Sequence, residues 1–181
     1  TSFDTSSLVG LRNLALVALL LDTGLRAAEV CRLQLGDLDL PSRRLEVAAK
    51  GGVFRRAKFS EPTAGYLAWW LDGRGRWSLL APRERAVFVS MNGSKQGQGL
   101  TTDGLRAIFR TIGRKAGLDA LAPHDLRRTF ATIALRYGAP TRMVQVAGGW
   151  QNINQLEAYS RDLVLDDFVD LYAPAGRLLA G

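Results

Sequence analysis

Apolar residues near the start of the chain recur at helical spacing. Leu8, Leu11, Ala15, Ala18 and Leu19 form a stripe, and Leu14, Leu16 and Leu20 widen it. That breadth predicts a central helix reaching about Leu21, capped by Ser6 or Ser7 and ended by Gly24. A second helix is predicted from about Leu25 to Leu35. The period then changes. Leu45, Val47 and Ala49 alternate with Arg44, Glu46 and Ala48, as a strand requires. Lys50-Gly51-Gly52 reads as a turn and Val53 to Phe59 as the returning strand, so a hairpin is expected.

Pro62 opens a helix bearing Tyr66, Trp69 and Trp70. Asp72 to Arg85 reads as loop, Ala86 to Ser90 as a short buried strand, and Met91 to Gly99 as a mobile surface loop. Thr101 or Thr102 caps a helix ending near Gly117, and Pro123 precedes another from about His124 to Tyr137, closed by Gly138. Pro140 to Ala147 is a short helix stopped by Gly148-Gly149; Asn152 to Ser160 and an acidic Leu163 to Tyr172 complete the set. No repeat or low-complexity tract interrupts the pattern. The expected fold is mainly α with one small antiparallel β-sheet (α+β), in a single domain.

Composition narrows the setting. The 181 residues are 47% apolar and 23% charged, ordinary values for a globular chain and unlike those of disordered or fibrous ones. The longest apolar run, Leu14 to Leu21, is too short to span a bilayer, and Arg12 and Asp22 bracket it without a secretory cleavage site. No membrane association is expected. One cysteine excludes an internal disulfide, and with a single histidine it leaves no zinc-ligand set. Cys31 reads as core filler. A reducing, cytoplasmic location is the expectation.

The net charge of +7 favours a polyanionic partner, nucleic acid or anionic lipid. Its placement is uneven. Residues 43–60 hold Arg43, Arg44, Lys50, Arg55, Arg56 and Lys58 against Glu46 alone. Residues 105–128 hold Arg106, Arg110, Arg114, Lys115, Arg127 and Arg128 against Asp119 and Asp125. A basic hairpin and a basic helix suit a duplex backbone, and Arg43, Arg44, Arg55, Arg56, Lys58, Arg106, Arg110 and Arg128 are the expected DNA-binding groups. Residues 157–170 reverse the sign and are expected to pack on protein.

Several residues carry candidate chemistry. In Pro123-His124-Asp125-Leu126-Arg127-Arg128, helical geometry sets Arg127 at the edge of the stripe formed by Leu126, Phe130, Ile133 and Tyr137. Arg127 should be half-buried and fixed on an anionic partner, with His124 reaching the same side and Arg128 pointing away. The alternative is an internal salt bridge beside a capping histidine. In Thr23-Gly24-Leu25-Arg26-Ala27-Ala28-Glu29, Arg26 falls in a helix's first turn, where the macrodipole disfavours a cation. Glu29 is expected to orient Arg26 or His124, or simply to form a local ion pair. Lys50 sits beside two glycines at the hairpin tip, Trp150 follows Gly148-Gly149, and Tyr159 lies nine residues beyond Trp150.

Taken in order, Thr-Gly-Leu-Arg-x-x-Glu (23–29), Lys-Gly (50–51), His-x-Leu-Arg-Arg-Thr-Phe-Ala-Thr (124–132) and Gly-Trp followed by Tyr (149–159) resemble the catalytic domain of the tyrosine recombinase, or phage integrase, family. The resemblance implies that Arg26 and Arg127 bind the phosphate, that Lys50 and His124 handle protons, that Trp150 fills the family's His-or-Trp position, and that Tyr159 is the nucleophile. Glu29 falls at the acidic support position. The chain departs from the common pattern in Gly-Gly-Trp, where most members carry Leu-Gly-His, and in lacking the second lysine and Val-Pro-Leu after Lys50.

The implied activity is site-specific DNA strand cutting and rejoining through a 3′-phosphotyrosyl intermediate, with no cofactor, metal or ATP. Alternatives are type IB topoisomerase-like relaxation and a non-catalytic DNA-binding module of the same fold. The implied partners are double-stranded DNA and further protomers, a tetramer on DNA and a monomer free. Residues 1–181 would be the catalytic domain, with 163–181 a tail docking on a neighbouring protomer and an N-terminal core-binding domain absent from this chain.

Overall fold

A computed structural model describes residues 3–48 and 54–156. Ser7 caps α1 (Leu8–Thr23) by accepting from the Gly10 amide, and Gly24 ends it at φ 58°. Any side chain at Gly24 would be strained and would also press on the Phe130 ring. α2 (Ala27–Arg32) is shorter than the predicted helix. The chain leaves it to bond elsewhere: the Leu33 carbonyl accepts from Val87 N at 2.8 Å, and Leu35 N donates to the Arg85 carbonyl at 2.8 Å.

The predicted hairpin is present, with one added strand. β1 (Leu38–Asp39), β2 (Arg44–Ala48) and β3 (Phe54–Lys58) form an antiparallel sheet in that order. β1 has two residues, too few to show a period. Register opposes Arg44 to Lys58, Glu46 to Arg56 and Val47 to Arg55. Leu45, Val47 and Ala57 are buried, while Arg44, Glu46, Arg56 and Lys58 are exposed. The hairpin turn, Lys50 included, lies outside the described residues.

α3 (Glu61–Gly75) runs into the stretch read as loop. Its last turns have something to bury: Trp70 Nε1 donates to the Val87 carbonyl and Arg74 to the Glu84 carbonyl, both at 2.9 Å. Residues 86–89 are buried as expected but form no strand. They bond by isolated bridges, Gln34 with Ala86 and Val89 with Gly99. Residues 91–99, read as a mobile loop, contain a 3₁₀ turn and are fastened by Ser90 N to the Gln98 carbonyl and Gly97 N to the Ser90 carbonyl.

Thr101 caps α4 (Thr102–Lys115); α5 (Pro123–Arg136) and α6 (Thr141–Gly148) follow. α1 is central, packed against α3 and α5. Its Leu16, Leu19 and Leu20 join Leu67, Trp70, Phe88 and Phe109 in the main core. Partly buried Cys31 packs against that core, and burial pushes its thiol up to about 11. A second cluster joins Ala131, Leu135, Val144, Trp150 and Leu156, with Phe130 at its edge. Arg12, on α1, is buried and donates to Asn13 Oδ1 and the Val89 carbonyl; desolvation brings its pKa down to about 10. The helix predicted over residues 152–160 is described only as far as Leu156; its remainder and the acidic tail lie outside the described residues. Among the described residues no helix is long and apolar enough to cross a membrane.

Candidate active site

Arg26, His124, Arg127 and Trp150 line one hollow of about 510 Å³, which Gln155 also borders. Arg26 caps α2, His124 and Arg127 stand in the first two turns of α5, and Trp150 follows the end of α6. Arg26 is the N-cap of α2 rather than a first-turn residue, with extended backbone. Its amide donates to Glu29 Oε2 at 2.8 Å and its guanidinium to Oε1 at 3.0 Å. Glu29 thus answers both the open amide and the cation that the dipole disfavours. The Arg26 side chain is 44% exposed and borders the hollow, while its guanidinium is held by Glu29 and the Gly149 carbonyl.

Arg127 is more deeply set than its sequence position predicts, at 4% exposure. Backbone carbonyls hold it: Nη1 donates to Gly148 at 2.7 Å and also to Gly24. Its guanidinium lies 3.9 Å from the centre of the Trp150 ring, which in turn stacks on Phe130 at 6.2 Å and 9°. The cation therefore rests on an aromatic face. His124, in the first turn of α5, is exposed. Of the two groups that Glu29 is expected to orient, it holds Arg26 and, in addition, Arg55 at 3.4 Å.

The organising element is the end of α6. The carbonyls of Ala147, Gly148 and Gly149 accept from Arg55, Arg127 and Arg26 respectively. The last carbonyls of a helix lack intrahelical donors and form its negative pole, so cations collect there. Gly149 takes φ 69°, and a Cβ on Gly148 would sit 1.7 Å from the Trp150 ring. Both glycines are needed for the turn that brings the indole back over Arg127.

The expected DNA-binding residues divide. Arg44, Arg56, Lys58, Arg106, Arg110 and Arg128 are exposed; Arg56 pairs with Glu46 and Arg106 with Asp103, each at 2.7 Å. Arg43 occupies the β1–β2 turn at φ 57° and approaches Glu61 at 3.7 Å. Arg55 departs from the expectation. It shares the inward face of the hairpin with Val47, its side chain is 12% exposed, and burial pulls its pKa down. Adjacent strand residues point to opposite faces, so Arg55 and Arg56 could not both face outward. That alternation is the sequence signal that would have found it. Lys50 and Tyr159 lie outside the described residues, and so does the tail expected to dock on a neighbour.

Comparison with known proteins carries the same pattern across most of the chain. Residues 2–164 match the phage integrase family. The chain belongs to that family. Phage-integrase relatives include tyrosine recombinase XerD of Listeria innocua, 34% identical over 161 residues, covering 88% of this chain and 53% of the relative. Tyrosine recombinase XerC of Corynebacterium efficiens is 36% identical over 149 residues, covering 82% of this chain and 46% of the relative. The chain thus spans about half the length of these relatives. Among solved structures, XerA recombinase superposes with a TM-score of 0.77 at 27% identity, over 93% of this chain and 61% of that one. XerH recombinase in a post-cleavage complex with its difH substrate shares the fold, with a TM-score of 0.73 at 24% identity over 92% of this chain and 47% of that one.

Proposed function

We propose that this chain supplies the catalytic portion of a site-specific DNA recombinase. The observation carrying the reading is the convergence of Arg26 and Arg127 on one hollow beside His124, with Gln155, four residues ahead of Tyr159, at its rim. The Tyr159 oxygen attacks the scissile phosphorus, the bond from phosphorus to the 5′-oxygen breaks, and a 3′-phosphotyrosine forms. His124 accepts the phenolic proton. Lys50 gives a proton to the departing 5′-oxygen, which leaves as a hydroxyl. Rejoining runs the same steps backwards from a 5′-hydroxyl, so ester energy is kept and no ATP is needed.

Charge gathers on the phosphorane, and Arg26 and Arg127 answer it with permanently cationic planar forks. A single fixed donor to transition-state charge is worth roughly 2.7–4 kcal/mol. Two such forks supply this chemistry without a divalent metal. Trp150 packs and can donate one hydrogen bond but cannot carry a proton, which leaves the acid–base work to His124 and Lys50. Glu29 holds Arg26. Double-stranded DNA, met by the exposed basic residues of the hairpin, α4 and α5, is the substrate, and further protomers assemble on it as a tetramer. The tail from Leu163 onward docks on the neighbouring protomer. A cytoplasmic setting suits a chain with a single free thiol.

A nicked suicide duplex tests the reading, since loss of the short cleaved fragment traps the covalent complex. The chain should yield a DNA-linked band that Tyr159→Phe abolishes. A band persisting in the phenylalanine variant would remove Tyr159 as nucleophile.

A further inference from the structure

Sequence places Arg55 on the DNA-facing surface, whereas its side chain is turned inward and 12% exposed. It leaves the inward face of β3, the strand returning from the Lys50 turn, and ends between two groups of the site. One guanidinium nitrogen donates to the Ala147 carbonyl at the end of α6. Another lies 3.4 Å from Glu29 Oε2, the oxygen that also accepts the Arg26 amide. The stem lies so close under the α6 turn that a Cβ on Gly149 would come within 2.7 Å of its Cδ and Nε. Gly149 in turn supplies the carbonyl that holds Arg26 Nη2 at 2.9 Å. Arg26 is thus anchored twice, on Glu29 and on Gly149, and Arg55 touches both anchors.

We propose that Arg55 is a positioning residue: it locks Glu29 to the end of α6, and so fixes the fork of Arg26 toward the scissile phosphate. The proposal rests on the strand-cleavage reading above. A guanidinium suits this place because its fork reaches a carboxylate and a carbonyl at once, whereas an ammonium is a point charge. At 12% exposure the Arg55 side chain offers little surface to a duplex. Without it, Glu29 keeps only Arg26 among the cations shown beside it, and the Gly149 carbonyl loses the stem that supports its turn. Arg26 then samples positions off the phosphate, and orientation of this kind governs the rate rather than the binding.

The test compares Arg55→Gln and Arg55→Lys with the unsubstituted full chain in single-turnover covalent capture. Two nicked duplexes are used, one with an ordinary scissile phosphodiester and one with a neutral methylphosphonate at that position. The methylphosphonate carries one charge fewer and asks less of Arg26. Arg55→Gln should slow capture of the phosphodiester by about tenfold or more, and of the methylphosphonate by less than about threefold. Arg55→Lys keeps a cation beside Glu29 and should fall between. Affinity for an uncleavable duplex should stay within about threefold, since the Arg55 side chain is largely buried.

Equal slowing on both substrates would show a general loosening of the fold and overturn the proposal. A phosphodiester rate within about threefold of the unsubstituted chain would do the same, as would a large loss of duplex affinity. These outcomes leave strand cleavage itself intact. Failure of the unsubstituted chain to capture either duplex would instead remove the cleavage reading, and the role of Arg55 with it.

Discussion

Gly148 shows how little room the site leaves. Its carbonyl receives Arg127, and the Trp150 ring lies where its side chain would go. Gly148→Ala should drive the indole away from Arg127 and Phe130, at a cost of about 1–3 kcal/mol for an overfilled site. Urea denaturation would read the loss, and covalent capture should fall with it. Gly65, inside α3, is the control, because a Cβ there would meet no atom within 4 Å: Gly65→Ala should stabilise by about 0.5–1 kcal/mol. Which side chains converge is legible in the sequence, because Arg26, His124, Arg127 and Trp150 follow from motif order. What they lean on is not. The fold sets Arg127 on the carbonyls of Gly24 and Gly148, which no residue type announces. The inward setting of Arg55 is missed when charge is weighed before strand parity.

Elements are most legible where the chain marks its own ends. Ser7, Gly24, Thr101, Gly138 and Gly149 all stand at or beside the predicted helix boundaries. The misreadings fall where pairing is distant. α2 stops early because Leu33 and Leu35 bond to Val87 and Arg85, and residues 86–89 are divided between that segment and Gly99 and Leu100. No local pattern encodes a partner so far along the chain. α1 carries the site indirectly: its 16 residues span about 24 Å and deliver Gly24 to Arg127. Its opposite end is held by Ser7, whose hydroxyl accepts from Gly10 N and donates to the Asp4 carbonyl. Ser7→Ala should therefore cost about 1 kcal/mol in thermal or urea unfolding, with the single-turnover capture rate unchanged and Ser7→Asp restoring stability. A changed capture rate at constant stability would mean that the far end of α1 steers chemistry.

At the scale of the molecule, charge is divided by accessibility. Arg55 and Arg127 are drawn inside, whereas Arg106, Arg110 and Arg114 stand exposed at four-residue steps along α4. Arg106 is already matched by Asp103, so Arg110 is the more informative position. Arg110→Glu should weaken duplex binding similarly on every sequence and flatten the slope of log affinity against log salt by about 1. An unchanged slope would take this face of α4 off the duplex. The net charge announces a polyanion; only the fold tells which cations are available to it. One of the inward cations has a further use. Because the Arg127 guanidinium carbon sits 3.9 Å from the centre of an indole ring, its displacement changes the surroundings of a fluorophore. The protein thus carries its own optical gauge of whether that fork is at rest or engaged, with no label added to the nucleic acid.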